Sequence, residues 1–418
     1  MTNASRQTTR AGSDGHDHTE GWTRARLDDH WAVIDCKHVT AEFLDVGYPI
    51  VSIGEVQGRY VDVRNAPKTS RDFYMLLTQN PRRPAAGDLI MSRNASVGLV
   101  AQVVDPNPLF AMGQDVCLLR RRNRSYSPDF LQFLLSSPTM EKQLSRMMAG
   151  STFKRLNVRQ IKDLTIPFPS PPVQASIGRA LGDTEDLIAS LELLITKRMA
   201  IKQGMMQQLL TGKTRLPGSS GAWSFKYLGE LANIRSGRSK VRTANGGGNR
   251  WIVDMGSVTR NGSLVVSKRT DSHDGQLRRG ELVMPKDDIG GGNIIGRVGL
   301  IDRDDTYVLA DHVFALTPFR DDSLFLNYAI NSYDVNRSLR AQTKGSAQLG
   351  LSRRSVETQK VAIPELHEQV AIGAVLAQCD SELEGVRGRL AKARAIKQGM
   401  MQELLTGRIH LPVEEGAR

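Results

Sequence analysis

The sequence predicts an α+β fold: two copies of one globular unit, joined by an antiparallel coiled coil of two long helices. Three observations carry this reading. The chain repeats itself at a fixed offset, each copy ends in a heptad run, and short β-type runs broken by Gly, Asn and Asp precede each heptad run.

The repeat is clearest in its tails. IKQGMMQQLLTGKTRLP, from Ile201 to Pro217, returns as IKQGMMQELLTGRIHLP from Ile396 to Pro412, an offset of 195. Extended back to Gln174 and Gln369, the match holds 19 identities in 44 positions without a gap. Upstream it loosens: GDLIM at Gly87 answers GELVM at Gly280, and FLQFLLSS at Phe130 answers FLNYAINS at Phe325. The boundaries that follow are a flexible polar tail (1–21), a globular domain (22–173), a spacer helix (174–217), a second globular domain (218–368), a second spacer helix (369–412) and a short tail (413–418).

Each spacer follows the 4-3-4-3-4 spacing of heptad a and d positions. The first seam is Ile177, Leu181, Thr184, Ile188, Leu191 and Ile195; the second is Ile372, Leu376, Cys379, Leu383, Val386 and Leu390. Pro171-Pro172 and Pro364 stand before the helices, and Gly212 and Gly407, followed by Pro217 and Pro412, mark their ends. Each helix spans about 35 residues, or roughly 50 Å. One apolar seam asks for a partner helix, and the other copy is the nearest. The first helix leads from one globular segment to the next and the second must return, so the pair is antiparallel. In the globular segments, PIVSIGEV, VRNA, RWIVDMGSV and SLVVS read as β-type runs, and the stretches near Phe130 and Phe325 as helices.

Composition bounds the function. The chain has 418 residues, and no apolar run approaches the roughly 18 a membrane-spanning helix needs. Cys36, Cys117 and Cys379 lie far apart without C-x-x-C spacing, which argues against a disulfide framework or a zinc ribbon and makes a reducing cytoplasm the expected home. The net charge of +12 points to an anionic partner. Most of the excess falls on the globular segments: 20 basic against 14 acidic residues in 22–173, and 21 against 17 in 218–368. Arginine dominates both, and its planar fork suits phosphate and the guanine edge.

The fragments that suggest chemistry fail on inspection. TGKT at Thr211 lacks the upstream glycine of a phosphate-binding loop, since Gln207 stands there, and it closes a helix where that loop opens one. SPPV at Ser170 lacks the aromatic fourth residue that an amino-methyltransferase motif uses to grip a flipped base; Val173 occupies it. Asp35-Cys36-Lys37 is the one (D/E)-x-K, and no Pro-Asp precedes it, so no nuclease metal site is assembled. GGGN at Gly246 and Gly290 could cradle phosphate through bare backbone N–H groups, with flexible turns the plainer reading, and His16-Asp17-His18 reads as an accidental cluster in the tail. No catalytic or metal-binding residues are assigned.

Two diverged basic domains, each followed by a near-identical helix ending in IKQGMMQ-[QE]-LLTG, resemble the specificity subunit of type I restriction-modification systems (the HsdS family). The approach to each helix is similar too: Gly150-Ser151, Leu156, Ile166-Pro167-Phe168-Pro169 and Gln174 through Ile177 in copy one, and Gly345-Ser346, Gln348, Leu351, Ile363-Pro364, Gln369 and Ile372 in copy two. Copy one departs from the pattern with Phe153 where copy two has Gln348. The resemblance implies a non-catalytic subunit whose two target recognition domains each read half of a bipartite, asymmetric double-stranded DNA site. It implies no cofactor in this chain. Two copies of a modification subunit would bring S-adenosylmethionine and the adenine methyltransferase, and a restriction motor-nuclease subunit would use ATP and Mg. For DNA contact the expected residues are Arg82, Arg83, Arg93, Lys154 and Arg155 in the first domain and Arg238, Lys240, Arg242, Lys286 and Lys344 in the second. For the partner surface they are Ile201, Met205 and Met206 with Ile396, Met400 and Met401, which could equally complete the helix-pair core. The rival reading is a coiled-coil scaffold holding two protein-binding domains.

Overall fold

The computed structural model describes residues 21–94, 96–105, 109–148, 155–237, 248–288, 293–343 and 349–412. The chain divides into two compact units, Met1–Ser190 with Leu390–Arg418, and Leu191–Arg389.

The centre of the first unit is a four-stranded antiparallel sheet in the order Trp31–Asp35, Val116–Arg121, Leu89–Ser92, Val100–Gln102. Alternation along its strands separates two cores. Trp31, Val33, Leu89, Met91, Cys117 and Leu119 face the helices Pro128–Leu135 and Pro138–Met148. Ile34, Ile90, Val116 and Leu118 face the other way, among Val51, Val56 and Phe110. A mixed three-stranded sheet lies beyond, ordered Lys68–Thr69, Tyr48–Val51, Ala111–Met112. Thr23–Arg26 pairs with Thr165–Phe168 just ahead of the first long helix, Pro171–Leu209.

The second unit repeats this order strand for strand. Its four-stranded sheet runs Ala232–Ser236, Val313–Pro318, Leu282–Pro285, Gly299–Leu300, and its three-stranded sheet Arg269–Thr270, Arg250–Val253, Tyr307–Leu309. Ser224–Tyr227 pairs with Lys360–Ile363 ahead of the second long helix, Leu366–Leu404. Asp287–Asp288 pairs with Leu349–Gly350, and among the described residues the equivalent place in the first unit holds a bridge between Asn94 and Arg155.

Two expected β runs do not form strands. VRNA bends because the Asp62 carboxylate accepts both the Arg64 amide and its guanidinium. SLVVS contributes only the Val258–Leu264 bridge, since the chain has just turned at Gly262, whose φ is +76°. The long helices run 39 residues each, and Pro171 and Pro172 lie inside the first turn, where no intrahelical N–H partner is lost. Gly212 and Gly407 follow the helix ends at φ +68° and +71°, a conformation that a side chain disfavours.

Each unit takes its helix pair from both copies. In the first, Ile177, Leu181 and Ile188 are buried, and Met400, Met401, Leu404, Leu405 and Leu411 complete the same core. Glu185 pairs with Lys397, and Thr184 lies against Met400, so the two helices of the pair run antiparallel. In the second unit Ile372, Leu376, Leu383 and Val386 are buried, and Met205, Met206, Leu209, Leu210 and Leu216 fill the equivalent place. Lys202 pairs with Asp380, Arg198 with Glu382, and Cys379 meets the Met205 sulfur at 3.8 Å. Leu191 is buried, while Ile195 and Leu390 are half-buried. The lysine of each IKQG motif also lies over an aromatic ring, Lys202 over Tyr328 and Lys397 over Phe133.

Gln174 and Gln369 open the two helices and are buried. Gln174 accepts the Ser127 amide at 3.2 Å and donates to the Pro169 carbonyl; Gln369 accepts the Asp322 amide at 2.9 Å and donates to the Pro364 carbonyl. Each therefore ties its long helix to the start of a domain helix. Replacing either with Leu leaves a buried amide and a carbonyl unpaired, and is expected to cost about 1–3 kcal/mol in its own unit only. Thermal unfolding followed by hydrogen exchange checks this, and equal loss in both units would refute it.

Candidate nucleic-acid interface

The end of the four-stranded sheet at Asp35, Ser92 and Val116 collects polar side chains from four segments of the first unit. Arg93 leaves the third strand here, its amide on the Asp115 carbonyl and its carbonyl on the Leu156 amide. Its guanidinium is buried, 3.2 Å from Asp35, 3.0 Å from the Gln114 carbonyl, and 3.5 Å from both the Cys36 sulfur and His38 Nε2. Asp35, Cys36 and His38 are the one close group of metal-type ligands among the described residues. Arg93 supplies the cation at its centre, so the group is an ion-pair cluster and not a vacant ligand set. Burial pushes the Cys36 thiol up to about 11 and that of Cys117 up to about 12, which leaves both protonated and unreactive at neutral pH.

The matching end of the second unit carries other chemistry. Lys286 stands where Arg93 does, its amide on the His312 carbonyl and its carbonyl on the Leu351 amide. Its ammonium donates to Ser236 at 3.2 Å. Asn94 and Asp115 hydrogen-bond in the first unit; Asp287 and His312 take their places, with the ring Nδ1 2.5 Å from the carboxylate. His312 holds a left-handed backbone, φ 66°, that only Asp305 shares among the described non-glycine residues.

Several expected contacts must be placed against this geometry. Arg93 is a correction: only 2% exposed, its charge is spent on Asp35 inside the fold and it presents nothing at the surface. Arg82 is half-buried and donates to the Asp35 carbonyl; Arg83 and Arg155 are exposed. Lys286 is half-buried, with its ammonium 5.9 Å from the Phe314 ring. Lys154, Arg238, Lys240, Arg242 and Lys344 lie outside the described residues, as do Phe153 and Gln348. The structure brings Arg82, Arg93 and Arg155 to the same sheet end, and leaves Arg83 on the adjoining turn, where its carbonyl accepts from Arg120.

The expected partner surface divides in two. Met205, Met206, Met400 and Met401 pack against the unit cores, because an unbranched thioether fills the gap between helix and domain. Ile201 and Ile396 remain open, 60% and 47% exposed. Three residues beyond them, Gly204 and Gly399 would meet nothing if given a side chain, so neither is glycine for reasons of packing within this chain.

The model for the type I restriction modification DNA specificity domain matches this chain twice, over residues 20–197 and 221–392. A putative type I restriction enzyme MjaX specificity subunit of Methanocaldococcus jannaschii is 24% identical over 398 residues, covering 88% of each chain. The MjaVIII specificity subunit of the same organism is 23% identical over 303 residues, covering 68% of this chain and 71% of its own. In fold, the chain is similar to the S subunit of a type I restriction-modification system from M. genitalium, with TM-score 0.61, 15% identity and coverage of 93% and 97%. With both domain matches in register with the two structural repeats, the chain belongs to the type I restriction-modification DNA specificity family.

Proposed function

We propose that the chain is the sequence-reading subunit of a type I restriction-modification complex, each globular domain recognising one half of a bipartite asymmetric site in double-stranded DNA. The observation that carries this is the contrast between two kinds of equivalence. The helix tails repeat the same residues in the same contacts, whereas at equivalent positions of the sheet ends the first unit carries Asn94 and Asp115 and the second carries Asp287 and His312. A protein that meets one partner twice and two DNA sequences once each needs that division.

The partner met twice is a modification subunit, bound at Ile201 and Gly204 on one helix and at Ile396 and Gly399 on the other. A glycine inside a helix costs roughly 1 kcal/mol against alanine, and close approach of another backbone is what offsets it. In this reading the modification subunits hold S-adenosylmethionine and transfer the methyl group, the restriction motor-nuclease subunit uses ATP and Mg, and this chain carries no cofactor. No helix among the described residues is long and apolar enough to cross a membrane. In this reading the complex works in the cytoplasm.

The test is adenine methylation of a random duplex library by the chain assembled with its modification subunits. Methylation confined to a two-part motif with an unread gap is expected, and exchange of the two domains should exchange the two parts. Methylation without sequence preference would overturn the proposal.

A further inference from the structure

The three-stranded sheet of each unit ends in a two-residue edge strand of the same make-up: a cation followed by a buried threonine, Lys68-Thr69 in the first and Arg269-Thr270 in the second. The register is also the same. Lys68 stands opposite Pro49 and Arg269 opposite Trp251. Neither cation has a carboxylate partner among the described residues. Lys68 donates weakly, at 3.4 Å, to the Asp45 carbonyl, and Arg269 donates one Nη to the Gly248 carbonyl at 3.1 Å. Neighbouring Lys268, by contrast, is neutralised by Asp254 at 2.6 Å. The two strands come from the diverged part of the repeat, yet the cation survives at one register position in both.

The two cations differ in how they are held. The Arg269 guanidinium carbon lies 3.9 Å from the centroid of the Trp251 ring, and the residue is exposed. Stacking on the indole and the bond to Gly248 hold the guanidinium plane in place, and its remaining N–H groups meet no further partner among the described residues. Ordering entropy is thus spent before any ligand arrives. A planar fork held this way matches the paired acceptors O6 and N7 of guanine. Lys68, opposite a proline and without a stacking partner among the described residues, is a compact point charge suited to a phosphate.

Resting on the DNA-reading proposed above, we infer that Arg269, stacked on Trp251, is a specificity-determining residue that reads a guanine in the half-site of the second domain, and that Lys68 contacts the backbone in the half-site of the first. A cation on an edge strand also discourages strand pairing, a role that either residue type fills equally well. The experiment therefore turns on the exchange of arginine for lysine.

The full chain, assembled with its modification subunits, is assayed on a duplex library carrying every base at each position of both half-sites. With Arg269→Ala, discrimination at one guanine position of the second half-site is expected to fall by roughly 10-fold or more, with the first half-site unchanged. Arg269→Lys should show the same loss although the charge is kept. Lys68→Ala should weaken binding to all sequences alike and lower the logarithmic salt slope by about one. Unchanged preference in Arg269→Ala, or full recovery in Arg269→Lys, overturns the inference while leaving the proposed function standing. A wild-type complex without sequence preference overturns that function, and the inference with it. Matched melting curves establish that the variants are folded, as the exposed position of Arg269 and the half-exposed one of Lys68 lead one to expect.

Discussion

A chain ending at Pro217 is expected to form a homodimer. Cutting there removes Met400, Met401, Leu404, Leu405 and Leu411, which close the core of the first unit. The truncated chain still carries Met205, Met206, Leu209, Leu210 and Leu216, the residues at the offset of 195, which perform that closure in the second unit. A second copy can therefore offer the first unit the side-chain types it has lost, and Lys202 can replace Lys397 as the partner of Glu185. Burying a leucine contributes about 1.5–3 kcal/mol, and two-fold exchange buries the set twice. Sedimentation equilibrium should show a dimer that dissociates on dilution, and with modification subunits present its methylation site should be a palindrome of the first half-site. A truncated chain that is monomeric at every accessible concentration would show that the two tails are not interchangeable.

The second large effect is long-range in sequence. Leu404→Ala and Leu405→Ala lie near the carboxyl end, yet both side chains are about 3% exposed in a core built on Trp31, Phe130 and Leu181. Each truncation should cost roughly 2–5 kcal/mol, and the loss should fall on the amino-terminal unit. Hydrogen exchange resolves the two units. Faster exchange is expected around Trp31–Asp35 and Val116–Arg121, with Ala232–Ser236 and Val313–Pro318 unaffected. The reciprocal pair, Leu209→Ala and Leu210→Ala, should reverse the pattern. Destabilisation of the second unit by the change at Leu404 would contradict the core assignments.

Much of this organisation was legible in the sequence because periodicity and repetition survive without knowledge of contacts. The heptads of Ile177 and Ile372 gave the helices, and the repeat together with connectivity gave their antiparallel pairing. Other features depend on which residues meet across long stretches of chain. Arg93 reads as one more surface arginine until Asp35, Gln114 and His38 are seen around it, and nothing near it in sequence announces that it is buried. The methionines of IKQGMM could be assigned to the core or to a partner surface with equal justice, since a flexible thioether suits both. Arg269 was missed because its signal is an indole 18 positions away. Strand order was out of reach, being set by pairings such as Ile34 with Leu118 that no local pattern encodes.

The exchange of tails between the two units also bears on how such chains can change over generations. A genetic crossover within the stretch encoding Ile201–Pro217 or Ile396–Pro412 joins halves whose closing residues are the same at nearly every position. The product keeps a full complement of methionines and leucines for both cores, whichever parent supplied each half. New pairings of domains can thus arise in one event and fold at once, so a lineage can acquire a new target without passing through an unfolded intermediate. The same property limits drift in the tails, because a substitution at Leu404 without its counterpart at Leu209 would leave some recombinants with one poorly filled core.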